Sequence, residues 1–600
     1  MTKERLDLLK DRVLAYAGVG DIGEVAYTPG EALELHWTQG LLRVTAPDPN
    51  AVARGIFLAA QAQRSGQREL HAVQRRHFAS CGAMLDMSRG GVMKAEAVKR
   101  YMDAMACLGL NLLMLYTEDT YPVEGYPHMG YLRGRYTRQE LRELDQYALE
   151  MGIELVPCIQ TLAHLEQFLQ WRENEHMKDT NECLMIGEAD TYRFIEAEIK
   201  AVRGCFRSNR IHIGMDEAHG VGLGHYFAKH GLADRFALLN RHLKQVVEIC
   251  KRHAYEPIMW SDMYFRLGSQ TNDYYDPQAV IPPEVVADIP EVALCYWDYY
   301  HTEEGFYADM LARHQEMGRE TVFAGGNWTW SGFLPQVRCT EANSVPALRA
   351  CLKQGVQTVL ATHWGDDGCE TNYFLALNQL PLFSEHCWLG EACDLARVHA
   401  LGAALTGIPQ EAYQAFGAFY QDHTDHRPGK GLFYCDPLYP LMHDGRWRLD
   451  ELGAGMEKAV ALLEAHLQDE RCAYAHLLQT IALEKLDWIR RLRPAYLRGD
   501  KQEVRDMAQN ALERLKNLYQ RFLELYRAQW EGTNKRNGWE TLCIRLGGIV
   551  ARLEDTRRIL LQWVGGEVEA VPELEEEPLD AMRRGGSQDY AFFTLPKYWW

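Results

Sequence analysis

The sequence predicts an α/β fold: a (β/α)8 TIM barrel at residues 78–385, with a small N-terminal α/β domain at 1–77 and an all-α C-terminal domain at 386–600. Three observations predict it. Eight short apolar runs recur in the middle of the chain, each followed by a stretch in which apolar residues return at helical spacing. Eight such units over about 300 residues match a closed parallel barrel of about 250 residues with insertions. Beyond residue 386 the strand-like runs stop and long helical stretches take over.

In the first 77 residues, helical periodicity runs from Lys3 to Ala17, and extended segments follow at Ala32–Trp37 and Leu41–Thr45. An alanine-rich helix is expected over Ala51–Arg64. The eight barrel runs are Ala83–Leu85, Asn111–Tyr116, Ile153–Cys158, Ile211–Met215, Pro257–Trp260, Val292–Trp297, Thr321–Ala324 and Thr358–Thr362. Helices are expected between them at Ala95–Leu108, Arg138–Met151, Ala189–Val202, Phe236–His253, Glu304–Met317 and Val345–Gln354. An open doubly wound sheet is the alternative, but no G-x-G-x-x-G follows a first strand, and Gly220-x-Gly222-x-Gly224 has the wrong spacing and reads as a flexible loop. In the last part, helical stripes cover 451–468, 472–493, 501–530 and 539–563, after a proline- and aromatic-rich connection, Arg427–His443. The stripes predict a bundle, and their apolar faces favour a homodimer. The acidic run Glu573–Glu577 reads as a solvated segment.

Six hundred residues exceed what one core sustains. A net charge of −19 argues against nucleic acid or an anionic membrane surface as main partner. The charged start, Met1 to Asp7, lacks the apolar core of a signal peptide, and no apolar run of about 18 residues is present to span a bilayer. Fifteen cysteines lie scattered, none in a C-x-x-C pair. They read as reduced, small apolar residues of a cytoplasmic protein, with no disulfide framework, zinc site or other cofactor expected.

In such a barrel the carboxyl ends of the strands build the active site. Read in order, those ends carry Asp86 and Arg89; Glu118, Asp119 and Tyr121; His164; Asp216 and Glu217; Trp260 and Asp262; Trp297, Asp298, Tyr299 and Tyr300; Trp328 and Trp330; and His363, Trp364, Asp366 and Asp367. The most informative stretch is Ile211 to Glu217, an alternating apolar run that ends in two adjacent carboxylates. Two such neighbours cannot both ionise freely, so one is set up as an acid beside an ionised partner. Tryptophan faces beside carboxylates suit a pyranose, which offers C–H faces for stacking and hydroxyls for charged acceptors. The constellation points to cleavage of a glycosidic bond.

These residues resemble glycoside hydrolase family 20, the β-N-acetylhexosaminidases. The family's H-x-G-x-D-E is matched by His212, Gly214, Asp216 and Glu217. Its first-strand pattern, R-G, two residues, L-D, two residues, R, appears as Cys81 to Arg89, with cysteine in place of the leading arginine. Its W-x-E becomes Trp364-Gly365-Asp366, and His164 stands where the family has a histidine after the third strand. The family's second-strand acid falls on Glu118 or Asp119. The small N-terminal domain and the helical C-terminal part suit a bacterial subgroup of the family.

The resemblance implies an exo-acting enzyme that removes terminal N-acetylglucosamine or N-acetylgalactosamine from a glycan, with retention. The substrate's own acetamido carbonyl would attack the anomeric carbon and form an oxazolinium ion. Glu217 would be the general acid, and Asp216 would orient the acetamido N–H and stabilise the developing positive charge. A tyrosine would hold the attacking oxygen; Tyr299 is chosen for its parity with Trp297, with Tyr296 as the alternative. Asp119 and His164 would tune Glu217. Trp260, Trp297, Trp328, Trp330 and Trp364 would enclose the sugar, and Asp366 would accept from its hydroxyls. The donor lost at Cys81 leaves a gap that the basic loop around Lys535 and Arg536 could fill. Two other readings stand beside this one: a barrel glycosidase with a carboxylate nucleophile, and an inactive sugar-binding barrel.

Overall fold

The computed structural model describes residues 1–420, 427–438 and 448–577 of the chain. Packing groups the chain into two compact units. One comprises 1–327, 340–365 and 377–406; the other comprises 328–339, 366–376 and 407 onward.

The first unit begins with the helix Lys3–Ala17 and a four-stranded sheet: β1 (Gly23–Pro29), β2 (Leu33–Thr38), β3 (Gly40–Ala46) and β4 (Glu69–Gln74). Its order is β1-β3-β2-β4, with β1 parallel to β3 and β2 antiparallel to both neighbours. Only β2 and β3 show in the sequence pattern, because they bury alternate residues such as Leu33, Leu35 and Trp37. Strand β1 buries none of its residues fully, and β4 only Gln74, so neither carries an apolar run. The helix Pro49–Arg64 packs on β2 and β3, and small residues such as Ala51, Ala53, Ala59 and Ala60 are fully buried along it.

The barrel follows, as the eight runs predict. Its strands are β5 (Ser80–Asp86), β6 (Leu112–Tyr116), β7 (Glu154–Cys158), β8 (Arg210–His212), β9 (Glu256–Trp260), β10 (Ala293–Trp297), β11 (Thr321–Gly326) and β12 (Thr358–His363). All pair in parallel, and β12 against β5 closes the ring. Both faces of each strand are covered, one by the barrel interior and one by helices, which is why the runs are continuously apolar. Gly82 marks one tight point of the barrel wall: an added Cβ would lie 1.6 Å from the Leu112 carbonyl oxygen on β6. One strand is shorter than its apolar run. β8 stops at His212, and Ile213–Glu217 leaves the ladder.

In the second unit, long helices span Leu449–Leu463, Glu470–Leu497, Leu512–Thr533 and Trp539–Gly565, the third entered through a π-helical turn at Met507–Ala511. Leu512, Leu515, Tyr519, Phe522, Tyr526 and Trp530 form its buried stripe. Within this unit Glu370 is buried between Lys430 (2.6 Å), Arg545 (3.1 Å) and the Tyr434 hydroxyl (2.6 Å). The connection Arg427–His443 is described as far as residue 438; its remainder lies outside the described residues.

Within the first unit, a buried arginine helps to fasten the small sheet domain to the barrel. Arg54 donates to Gln74 (2.8 Å), to the Leu108 carbonyl (2.9 Å), to Ser384 (2.9 Å) and to Glu385 (2.5 Å). Arg397 takes the second Glu385 oxygen at 2.5 Å. Burial alone would raise the Glu385 pKa, but the two guanidiniums hold it below the ordinary carboxylate value. Its contribution to stability is therefore present above the ordinary carboxylate range and lost as pH falls through the lowered value. Removing one partner of a buried pair leaves an uncompensated charge, at a cost of about 3–5 kcal/mol. Glu385→Ala is expected to lower denaturant stability by that amount, and Arg54→Met with Glu385→Leu to recover most of it. Equal stability of Glu385→Ala and the native protein would show that the pair does not fasten the two parts.

Candidate active site

The turn after β8 makes the site. Gly214, Met215 and Glu217 adopt left-handed backbone, with φ of 70°, 74° and 50°. For Met215 and Glu217 this costs about 1–3 kcal/mol each, so the surroundings must hold it. They do so by hydrogen bonds. The Gly214 N–H donates to His212 Nδ1 (3.1 Å), the Met215 N–H to Gln160 Oε1 (3.2 Å) and the Glu217 N–H to Asp262 Oδ2 (2.9 Å). Position 214 must be glycine for a second reason: an added Cβ would lie 2.0 Å from Gln160 Oε1. The turn buries Ile213 and Met215 and leaves Asp216 and Glu217 beside His164.

Asp216 has both oxygens engaged. Gln160 Nε2 donates to Oδ1 at 2.7 Å, and His164 Nε2 stands 3.2 Å from Oδ2. The same histidine nitrogen is 3.5 Å from Oε2 of Glu217. Burial would lower the His164 pKa, but the negative Asp216 beside it wins and pushes it up to about 10. Burial would likewise raise Asp216, and His164, Gln160 and Arg89 together lower it. Asp216 and His164 are therefore an ion pair at neutral pH. Two acids nearby, Asp262 and Glu118, are held toward the neutral form. Burial and the Asp216 charge push Asp262 far up, and burial pushes Glu118 to about 7 against the pull of Arg89. His212, lowered to about 3 by burial, is uncharged and serves the turn.

The aromatic wall is continuous. Trp364 meets Tyr116 edge-on at 4.8 Å and lies 6.0 Å from Trp260. Trp297 stacks on Tyr299 at 5.3 Å, and the Trp364 indole N–H donates to the Tyr299 hydroxyl at 3.0 Å. Tyr296 points elsewhere: its hydroxyl donates to Asp298 (2.8 Å) and its ring packs on His314. From the loop after β9, Tyr274 packs on Trp297 at 5.1 Å and bonds His219 at 2.7 Å. Burial first, then the charge of the adjacent Glu217 and a hydrogen bond to it, raise the Tyr274 pKa.

Several expected residues stand differently. Asp119 pairs with Arg133 at 2.9 Å. The second-strand acid at the site is Glu118, which accepts from Tyr116 (3.0 Å), lies 3.5 Å from Arg89 and feels the charge of His164. Left-handed backbone at Glu118, φ 37°, breaks the strand parity that would assign sides to the two acids. Cys81 is at the amino end of β5, buried against the Phe383 carbonyl, five residues before the mouth residue Asp86. A cation is nevertheless present at the mouth. Arg89 pairs with Asp86 (3.1 Å) and lies over the rings of Tyr116 and Trp364, 5.0 Å from each centroid. Arg536, offered as a substitute donor, is 83% exposed with Glu531 at 3.6 Å. Trp328 and Trp330 stack on each other at 4.5 Å in the second unit, where Asp366 opens the short helix Asp366–Cys369. The loop of Gly220, Gly222 and Gly224 is pinned: Asp179 accepts from the N–H groups of Gly222 (2.6 Å), Gly224 (3.1 Å) and Tyr226 (2.8 Å). Gln160 and Tyr274 carried no sequence signal, one lying just past a strand end and the other in an aperiodic loop. Among the described residues no group of three or more His, Cys, Asp or Glu is arranged to hold a metal ion.

Comparison with known proteins places the chain in a family. The catalytic-domain model of glycosyl hydrolase family 20 matches residues 78–281, and the glycoside hydrolase 20C C-terminal domain model matches 410–591. Human hexosaminidase D is 24% identical over 220 residues, 35% of this chain and 43% of that protein. A β-hexosaminidase of Akkermansia muciniphila is 26% identical over 167 residues, 23% of this chain and 34% of that protein. The chain thus spans less than half the length of either relative. The chitobiase of Flavobacterium johnsoniae shares the fold, with a TM-score of 0.51 at 14% identity over 88% of this chain and 93% of that one. With one model of the family on the barrel and another on the helical region, the chain belongs to glycoside hydrolase family 20.

Proposed function

We propose that the protein is an exo-acting β-N-acetylhexosaminidase that works by substrate assistance with retention. The observation that carries this is the state of Asp216. Held ionised by the ion pair with His164 at Oδ2 and hydrogen-bonded by Gln160 at Oδ1, it is a fixed acceptor and a fixed charge, poorly placed to become a covalent nucleophile. That favours attack by the substrate's 2-acetamido carbonyl over the carboxylate-nucleophile reading. The intact acid and ion pair speak against an inactive barrel. The names of the matched relatives supply the sugar class.

The chemistry follows from the side chains. Glu217, side chain 37% exposed, protonates the glycosidic oxygen and later takes a proton from water. Asp216 accepts the acetamido N–H and stabilises the oxazolinium charge. Tyr299, with its oxygen already bonded by Trp364, holds the attacking carbonyl. Trp260, Trp297 and Trp364 enclose the acetamido methyl and the ring, and Arg89 and Glu118 serve the sugar hydroxyls. All fifteen cysteines are free, all but Cys543 buried, which supports a reducing, cytoplasmic setting. Exposed Ile544 and Leu497 on the long helices support the homodimer part of the reading.

Hydrolysis of nitrophenyl N-acetylglucosaminide or N-acetylgalactosaminide, with none of the plain glucoside, is the expected result. Equal turnover of the glucoside would sink substrate assistance. Glu217→Gln is expected to slow poor leaving groups at least about 100-fold and activated aryl groups less. An equal loss on both would make Glu217 structural. Asp216→Asn should lower kcat more than it raises KM and weaken inhibition by a thiazoline analogue of the intermediate. Failure of that analogue to bind the native enzyme would contradict the mechanism.

A further inference from the structure

One acid of the site, Asp262, has no role in the chemistry above. It is the first residue after Ser261 at the end of β9 and is fully buried. Its Oδ2 accepts the N–H of Glu217, the residue whose backbone is left-handed. Its Oδ1 is buried and makes no hydrogen bond within the protein. The groups that face it include Asp216 and Glu217, whose charges oppose its ionisation, the Trp297 side chain, which favours it, and Tyr274, Tyr275 and Cys295, with no cation among them. An ionised carboxylate in that company would be repelled from both acids and left without a counter-charge. A protonated one keeps Oδ2 as an acceptor and offers Oδ1 as a hydroxyl.

We infer that Asp262 is a positioning residue for the general acid: as an uncharged carboxyl it pins the backbone of Glu217 in its left-handed turn and so aims the Glu217 carboxyl at the glycosidic oxygen. The inference rests on Glu217 being that acid. Without the Oδ2 acceptor the turn relaxes toward ordinary backbone, and a misplaced acid fails most where protonation is needed most.

The test compares native protein, Asp262→Asn, Asp262→Ala and Glu217→Gln on an alkyl and an activated aryl N-acetylglucosaminide. Asparagine keeps the acceptor and the neutral charge, so Asp262→Asn is expected within about threefold of native on both substrates. Asp262→Ala is expected to lose about tenfold or more in kcat on the alkyl substrate and less than about threefold on the aryl one, with KM little changed. A merely structural role would instead reduce both substrates alike. Loss in Asp262→Asn as deep as in Asp216→Asn would overturn the inference by showing that the charge is required. Native rates in Asp262→Ala would overturn it by showing that the clamp does nothing. Should Asp262→Ala fail to fold, the asparagine variant still decides whether the group acts uncharged. If instead Glu217→Gln keeps its rate on the alkyl substrate, it is the assignment of the acid that fails.

Discussion

The site depends on one buried ion pair, Asp216 with His164. Asp216 lies in a setting that by burial alone would protonate it, and His164 in one that would strip its proton. Each keeps the other charged, with Gln160 fixing the second carboxylate oxygen. An isolated charge at that depth would be costly; a paired and hydrogen-bonded one is tolerated. The pair keeps its charges from the acid side, where Asp216 would take a proton, up to about pH 10, where His164 would lose one. Burial first, and the same negative charge second, push the neighbouring acid Asp262 well above the ordinary carboxylate range. The charge of Asp216 therefore rests first on a single histidine.

The barrel's contribution is to bring chain-distant groups to that pair. Gln160 and His164 come from the segment after β7, Asp216 and Glu217 from the turn after β8, and Asp262 from the start of the helix after β9. These strands are consecutive neighbours in the ring, so their carboxyl ends open side by side. The left-handed turn does the fine placement. It takes Ile213–Glu217 out of the ladder, so that the apolar members of the run point inward while both acids meet His164. The strain is held by bonds to Gln160, His212 and Asp262, each of which is itself part of the site's wall.

Much of this was legible in the sequence. The barrel was readable because strands covered on both faces must be apolar throughout, and eight such runs leave a countable trace. The Asp216-Glu217 pair was readable because the motif is contiguous. What escaped depends on backbone geometry that residue spacing does not encode. Glu118 and Asp119 are adjacent acids, and a left-handed φ at Glu118 decides which one meets the site. Asp262 is visible as a strand-end acid, yet its role comes from a hydrogen bond to a backbone N–H on another strand's turn. Arg89 looked like the tail of a motif whose leading arginine had gone; in space it is a cation at the mouth, while Cys81 lies at the opposite end of the strand. Strands β1 and β4 were silent because nearly all their residues remain at least partly exposed.

Titration of His164 tests the ion pair most directly. With 13C-labelled histidine, its ring signal should report a doubly protonated imidazole through neutral pH and a pKa near about 10, and Asp216→Asn should bring that value sharply down. A native His164 that titrates in the ordinary histidine range, or one that Asp216→Asn leaves unmoved, would contradict the account.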